Sequence, residues 1–268
     1  MKKCILPLFA LILVLIFAGI ITGVMHNRAP VYTPPPNPEP QAILNEAQAD
    51  AAAGRYREAL AKHIWYRDNA LKYQPGQRGV RNSFALMYWA ELGKKYPPAM
   101  KKLQAIRTEA INQFQTKNGD AETVTASFIT VISINNALKE KVKNVGLFKE
   151  LIVDNPEAAK KVYSVLESDL IDAKEYALCG RYMDPDRSYA RIQRLYDLDK
   201  DSGTPQLQDF DVKSFSNQTA RLVAVLAING RNDDALRISE EAAKELDTPE
   251  FAALLASART GTVPPQWP

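Results

Sequence analysis

Residues Ala42 to Gly76 read AILNEAQADAAAGRYREALAKHIWYRDNALKYQPG, and the fold turns on how this stretch is read. A short apolar run reaches Ala53, Gly54-Arg55 makes a tight corner, and a second helix starts near Tyr56 and ends before Pro75-Gly76. Glycine takes corner conformations without steric cost, and proline cannot continue a helix. Tyr56, Leu60, Ile64 and Leu71 recur at helical spacing and can face a partner helix. Ala59 is small, so two helix axes can approach closely there. The stretch is therefore a helical hairpin.

The same periodicity runs on towards the C-terminus. Val80, Phe84, Tyr88 and Leu92 predict one helix, broadened by Met87 and Trp89 and stopped by Gly93 and Tyr96-Pro97-Pro98. Leu103, Ile106, Ala110 and Phe114 predict the next, as far as Asn118-Gly119. Val124 to Leu138 and Val142 to Ile152 carry two more stripes. Asn155-Pro156-Glu157 and Thr248-Pro249-Glu250 are helix starts: a capping side chain, a proline in the first turn, an acid near the positive end of the helix dipole. No sustained polar/apolar alternation is bounded by hairpin turns, so the expected class is all-α. Ser202-Gly203-Thr204-Pro205 sits in the expected internal linker, residues 201–211, between helical segments 42–200 and 212–260. The proline-rich end, 261–268, is expected to be a flexible tail.

Upstream of the hairpin, Ala29 to Gln41 read APVYTPPPNPEPQ, with six prolines. Such a run favours extended polyproline backbone, and residues 26–41 are expected to be a semi-rigid spacer. Cys4 to Met25 carry no charged residue over 22 positions, enough at ~1.5 Å per residue to cross a ~30 Å hydrocarbon layer. Residues 1–3 are basic. Length and the lack of an Ala-x-Ala site favour a transmembrane signal anchor at 4–25 over a cleaved signal, which would leave a soluble periplasmic protein. Lys2 and Lys3 precede the span, while only Arg28 follows it before Arg55. That asymmetry places residues 1–3 in the cytoplasm and the body in the periplasm, in a single pass through a bacterial inner membrane.

The chain has 268 residues and a net charge of +3, which falls to +1 once Lys2 and Lys3 are set aside. A balanced body without a basic block argues against nucleic acid as partner. Two cysteines, Cys4 and Cys179, make no disulfide framework.

The hairpin resembles a tetratricopeptide repeat, whose period is ~34 residues. Gly54, Tyr56 and Ala59 fit its corner, aromatic and small positions, and Ala70 and Pro75 keep its closing spacing about one turn late. Ala173 to Cys179 resembles a further corner, and Lys139 to Pro156 the second half of a repeat whose corner lacks glycine. Leu222, Leu226, Gly230, Ala235 and Ala242 follow the repeat order in the last segment. The chain also looks similar to bacterial membrane-anchored repeat proteins. The resemblance implies a tetratricopeptide-like α-solenoid of stacked antiparallel hairpins that binds protein or peptide partners. An ordinary helical bundle remains the alternative for the hairpin alone.

Chemistry-bearing motifs are absent from the sequence. His26 and His63 are the only histidines, with no paired cysteines or carboxylate-rich loop for zinc or calcium. No nucleophile elbow or phosphate-binding glycine loop occurs. Catalytic, cofactor and metal residues are therefore expected to be none. For a partner the sequence offers Arg78, Arg81 and Trp89, since arginines beside an aromatic helix can take a carboxylate or a ring. Arg187, Arg191 and Arg194 share a helical face beside Arg181 and three tyrosines, and can pair with Asp184, Asp186 and Asp197. The expectation is a membrane-tethered helical-repeat scaffold for protein or peptide partners in the cell envelope. The alternatives are an envelope enzyme on the same body or a structural homo-oligomer.

Overall fold

A computed structural model describes residues 31–116, 119–199 and 205–267. Among them every regular element is helical, and the helices pack as consecutive antiparallel pairs. The expected span at 4–25 lies outside the described residues, within which no helix is long and apolar enough to cross a membrane. The chain divides into two compact units, Met1–Gln104 and Ala105–Pro268.

The first unit holds α1 (Pro40–Ala52), α2 (Tyr56–Tyr73), a 3-10 turn at Pro75–Gln77, α3 (Arg78–Arg81), α4 (Phe84–Lys95) and the start of α5 (Pro97–Phe114). The expected hairpin is present as α1–α2, with Ala59 fully buried at its contact. Ile43, Leu44, Trp65, Tyr66 and Ala70 form its core with Ala85 of α4. The carboxylate of Asp50, almost fully buried, is matched by Arg55 (2.6 Å) and Lys62 (2.7 Å). Burial alone would raise the Asp50 pKa, but these donors hold it below its ordinary value.

Two expectations are corrected here. The stripe from Val80 to Leu92 is two helices, because α3 closes at Arg81 and the Ser83 hydroxyl bonds the Gly79 carbonyl (2.8 Å). The spacer does not stand free of the body. Pro40 is buried as the first residue of α1, and the Tyr32 ring meets Trp65 edge-on at 6.2 Å beneath the Lys62 ammonium. An aromatic inside a proline run has its own apolar area to bury, which composition alone does not register.

The second unit continues with α6 (Ala121–Ala137), α7 (Val142–Asp154), α8 (Pro156–Asp172), α9 (Tyr176–Tyr182), α10 (Pro185–Asp199), α11 (Pro205–Ile228), α12 (Asn232–Glu245) and α13 (Pro249–Arg259). Most of these helices pack on their sequence neighbours, and α6 on α8, α9 on α11 and α11 on α13 also touch one helix further on. The core is continuous from Phe114 and Phe128 through Leu151 and Leu166 to Phe215, Val225 and Phe251. The expected caps are in place: Asn155 accepts from the Ala158 amide (3.0 Å) and Thr248 from that of Phe251 (3.2 Å). Residues 205–211, read from sequence as linker, form the first turns of α11, because Pro205 can open a helix as readily as it can end one.

One backbone turn recurs at the hairpin corners. Gly54, Lys139, Lys174 and Gly230 all take positive φ, from 59° to 78°. In each, the following amide reaches back five residues: Arg55 to Asp50, Glu140 to Asn135, Glu175 to Leu170, Arg231 to Leu226, at 2.7–2.9 Å. This is the Schellman closure of a helix end. At Lys139 and Lys174 it is adopted despite the side chain, at a cost of about 1 kcal/mol each that packing must offset.

Candidate functional site

The residues favoured from sequence do not form one surface. Trp89 is core: it is 1% exposed, stacks on His63 at 5.6 Å and gives its indole N–H to the Ala99 carbonyl (3.0 Å). Arg81 is half-buried, its Nε tied to the Arg67 carbonyl (2.7 Å), and Arg78 is exposed. An aromatic at a helical stripe position reads the same whether it faces solvent or core, and here it faces the core. His63 is buried, and its ring nitrogens have no hydrogen-bond partner among the described residues. Burial lowers its pKa to about 4, so the ring is neutral at pH 7. Cys179 is buried and free, its thiol pushed by burial up to about 12. Among the described residues no cluster of His, Cys, Asp or Glu could hold a metal ion.

The arginines of α10 separate. Arg191 pairs with the buried Glu167 of α8 and also donates to the Ser164 carbonyl (3.1 Å). The expected pairing with Asp184 and Asp186 takes another form: Asp184 caps α10 at the Arg187 amide (3.1 Å), and Asp186 pairs with Arg237 of α12 (2.7 Å).

Arg191 and Glu167 belong to a concavity of the second unit. It is a groove of about 360 Å³ between α8, α10 and α11. Glu167 accepts from the Ser188 hydroxyl (2.9 Å) as well as from Arg191, so one wall is a closed polar network. On the other wall Arg221, 6% exposed, pairs with Asp172. Ser214, Asn217, Gln218 and Arg221 recur at helical spacing on α11 and give the groove its polar lining. A smaller hollow shares Ile192, Ser214 and Gln218 with it and adds Leu195 and Phe210, both about half exposed. Together they make a strip along α10 and α11 that is polar at one end and apolar at the other.

The C-terminal segment runs along α11 beside this strip, and Gln266 and Trp267 form part of the groove's lining. Asn217 donates to the Pro265 carbonyl (2.9 Å) and accepts from the Trp267 amide (3.2 Å). Arg221 donates to the Pro264 carbonyl (3.0 Å), and the Trp267 ring sits 4.8 Å from that of Phe210. Residues 261–267, expected to be a flexible tail, are therefore tied down. Proline content argued for fraying, but the carbonyls and the tryptophan find partners on α11. Sequence reasoning missed Asn217, Arg221 and Phe210, although the polar stripe at 214, 217, 218 and 221 was there to be read. No family model, curated protein or solved structure matches the chain.

Proposed function

We propose that the chain is a membrane-tethered helical-repeat scaffold that binds protein or peptide segments in the bacterial cell envelope. The α8–α10–α11 groove carries this reading, because its side chains hold an extended stretch of polypeptide chiefly by the main chain. Main-chain contacts do not depend on which side chains the segment bears, so a segment of another protein can make them too. Ion pairing weighs against the enzyme reading. Glu167 and Asp172, the carboxylates beside the groove, are engaged by Arg191 and Arg221, a poor arrangement for proton transfer. The corner shared by four hairpins supports the tetratricopeptide-like description.

Crosslinking in cells, followed by purification and mass spectrometry, tests the scaffold. A defined partner linked through α8 or α11 is expected. Links between copies alone would favour the homo-oligomer, and no links at all would favour the enzyme. The tether is tested by reporters fused after Pro268. A reporter active only outside the cytoplasm should work, and activity of a cytoplasmic reporter alone would overturn the orientation.

A further inference from the structure

We propose that the groove along α10 and α11 recognises extended Pro-Pro-x-aromatic segments, and that residues 263–267, Val-Pro-Pro-Gln-Trp, are its resident occupant, which a partner's segment of the same kind displaces. The inference rests on the scaffold reading and names the class of partner.

The chemistry of the segment matches the groove position by position. Pro264 and Pro265 have no amide hydrogen, so the groove need supply no acceptor for them. What they present is two carbonyls, and each meets a donor: Arg221 for Pro264, Asn217 for Pro265. The amide of Trp267 is met by the Oδ1 of the same Asn217. One carboxamide thus reads a carbonyl and an amide two residues apart, which fixes the direction and register of the segment. Two prolines in a row also hold the backbone extended before binding, so little conformational freedom is lost. Side-chain choice enters at the aromatic position, where the Trp267 ring covers Phe210. Gln266, between them, is exposed at the edge of the groove and accepts from the Lys141 ammonium at 3.4 Å.

The path of the chain explains how the occupant reaches the groove. Gly261 at the end of α13 takes positive φ (87°), and the Thr262 amide reaches back to the Ser257 carbonyl (3.3 Å). That is the closure used at the hairpin corners. There the chain turns into another helix; here Pro264-Pro265 follows, no further helix forms, and the chain runs along α11. The contacts from Pro264 onward involve exposed or half-exposed tail residues, whereas Val263 packs against the core. From Pro264 onward the segment can therefore leave without opening the core, Val263 staying in place as its anchor.

A tethered occupant competes at millimolar effective concentration, so removing it should unmask the groove. The experiment compares the full chain, kept soluble in mild detergent, with the same chain carrying a stop at Pro264. The probe is a fluorescein-labelled Val-Pro-Pro-Gln-Trp-Pro peptide, read by anisotropy. The shortened chain should bind it at least tenfold more tightly than the full chain. In the shortened chain, Asn217→Ala and Phe210→Ala should each weaken binding at least tenfold, with circular dichroism melts showing that the variants are folded. A folded shortened chain that does not bind the peptide, or binds it equally well with Asn217→Ala, would overturn the proposal. So would a full chain that is dimeric and becomes monomeric on shortening, since the segment would then serve to join copies. A partner crosslinked elsewhere on the body would preserve the scaffold reading even if the peptide failed, so the two can fail separately.

Discussion

His63 is a titratable ring held where it cannot be charged. It is 1% exposed against Trp89, and its pKa falls from 6.5 to about 4 because burial disfavours the cation. Between those values the unfolded chain takes up a proton that the folded chain refuses. The stability this residue gives is complete above pH 6.5 and is lost progressively as pH falls towards 4. The loss amounts to about 3 kcal/mol across that window. Urea unfolding at a series of pH values should show it, and His63→Leu should flatten the curve there; an equally steep curve in the variant would mean that other groups set it. Ala59 is the second test at this scale. It is fully buried where α1 meets α2, so Ala59→Asp should cost more than ~3 kcal/mol. A melting midpoint that does not move would show that the hairpin has been misread. The burial of Ala59 was legible from its place after Gly54 and Tyr56. That of Trp89 was not, since periodicity shows that residues share a face but not what covers it.

At the scale of elements, most helices were legible because proline and capping residues mark their starts and apolar stripes mark their faces. Two failures have physical causes. Asn82-Ser83 breaks a stripe through local hydrogen bonds that periodicity ignores, and Pro205 opens a helix where it was read as part of a linker. How helices pack tests the account through glycines. A methyl group at Gly180 of α9 would collide with the Asn229 side chain, which is held by bonds to the Tyr176 and Val225 carbonyls. Gly180→Ala should therefore destabilise the chain by ~2 kcal/mol. Gly146 of α7 has open space around it, so Gly146→Ala should stabilise by ~0.5–1 kcal/mol through helix propensity alone. Chemical denaturation of both variants checks the contrast, and equal effects would refute the close approach of α9 to α11. The spacer offers another check. Tyr32→Ala removes an edge contact with Trp65 and the ring beneath Lys62, and should lower stability by ~1 kcal/mol. An unchanged urea midpoint would restore the free stalk read from composition.

For the whole molecule, the class of fold was plain from periodicity, and the candidate site was not. The groove brings together Glu167 and Arg191 with Asn217, Arg221 and Trp267, residues that lie up to 100 positions apart. Their meeting depends on how α8, α10 and α11 pack, and no local pattern encodes it. The arginines chosen from sequence lie beside aromatics in the chain, which is a statement about neighbours and not about a cleft. The account's central claim is that this groove receives a segment of another protein. Photo-crosslinking in cells tests it most directly, with benzoylphenylalanine replacing Val165, an exposed groove residue, or Met87, an exposed residue of the first unit. The account predicts an adduct from position 165 that joins the chain to a proline-containing stretch of one other protein, strengthened by the stop at Pro264 and missing from position 87. No adduct at 165 with or without the stop, or the same adducts from both positions, would contradict it.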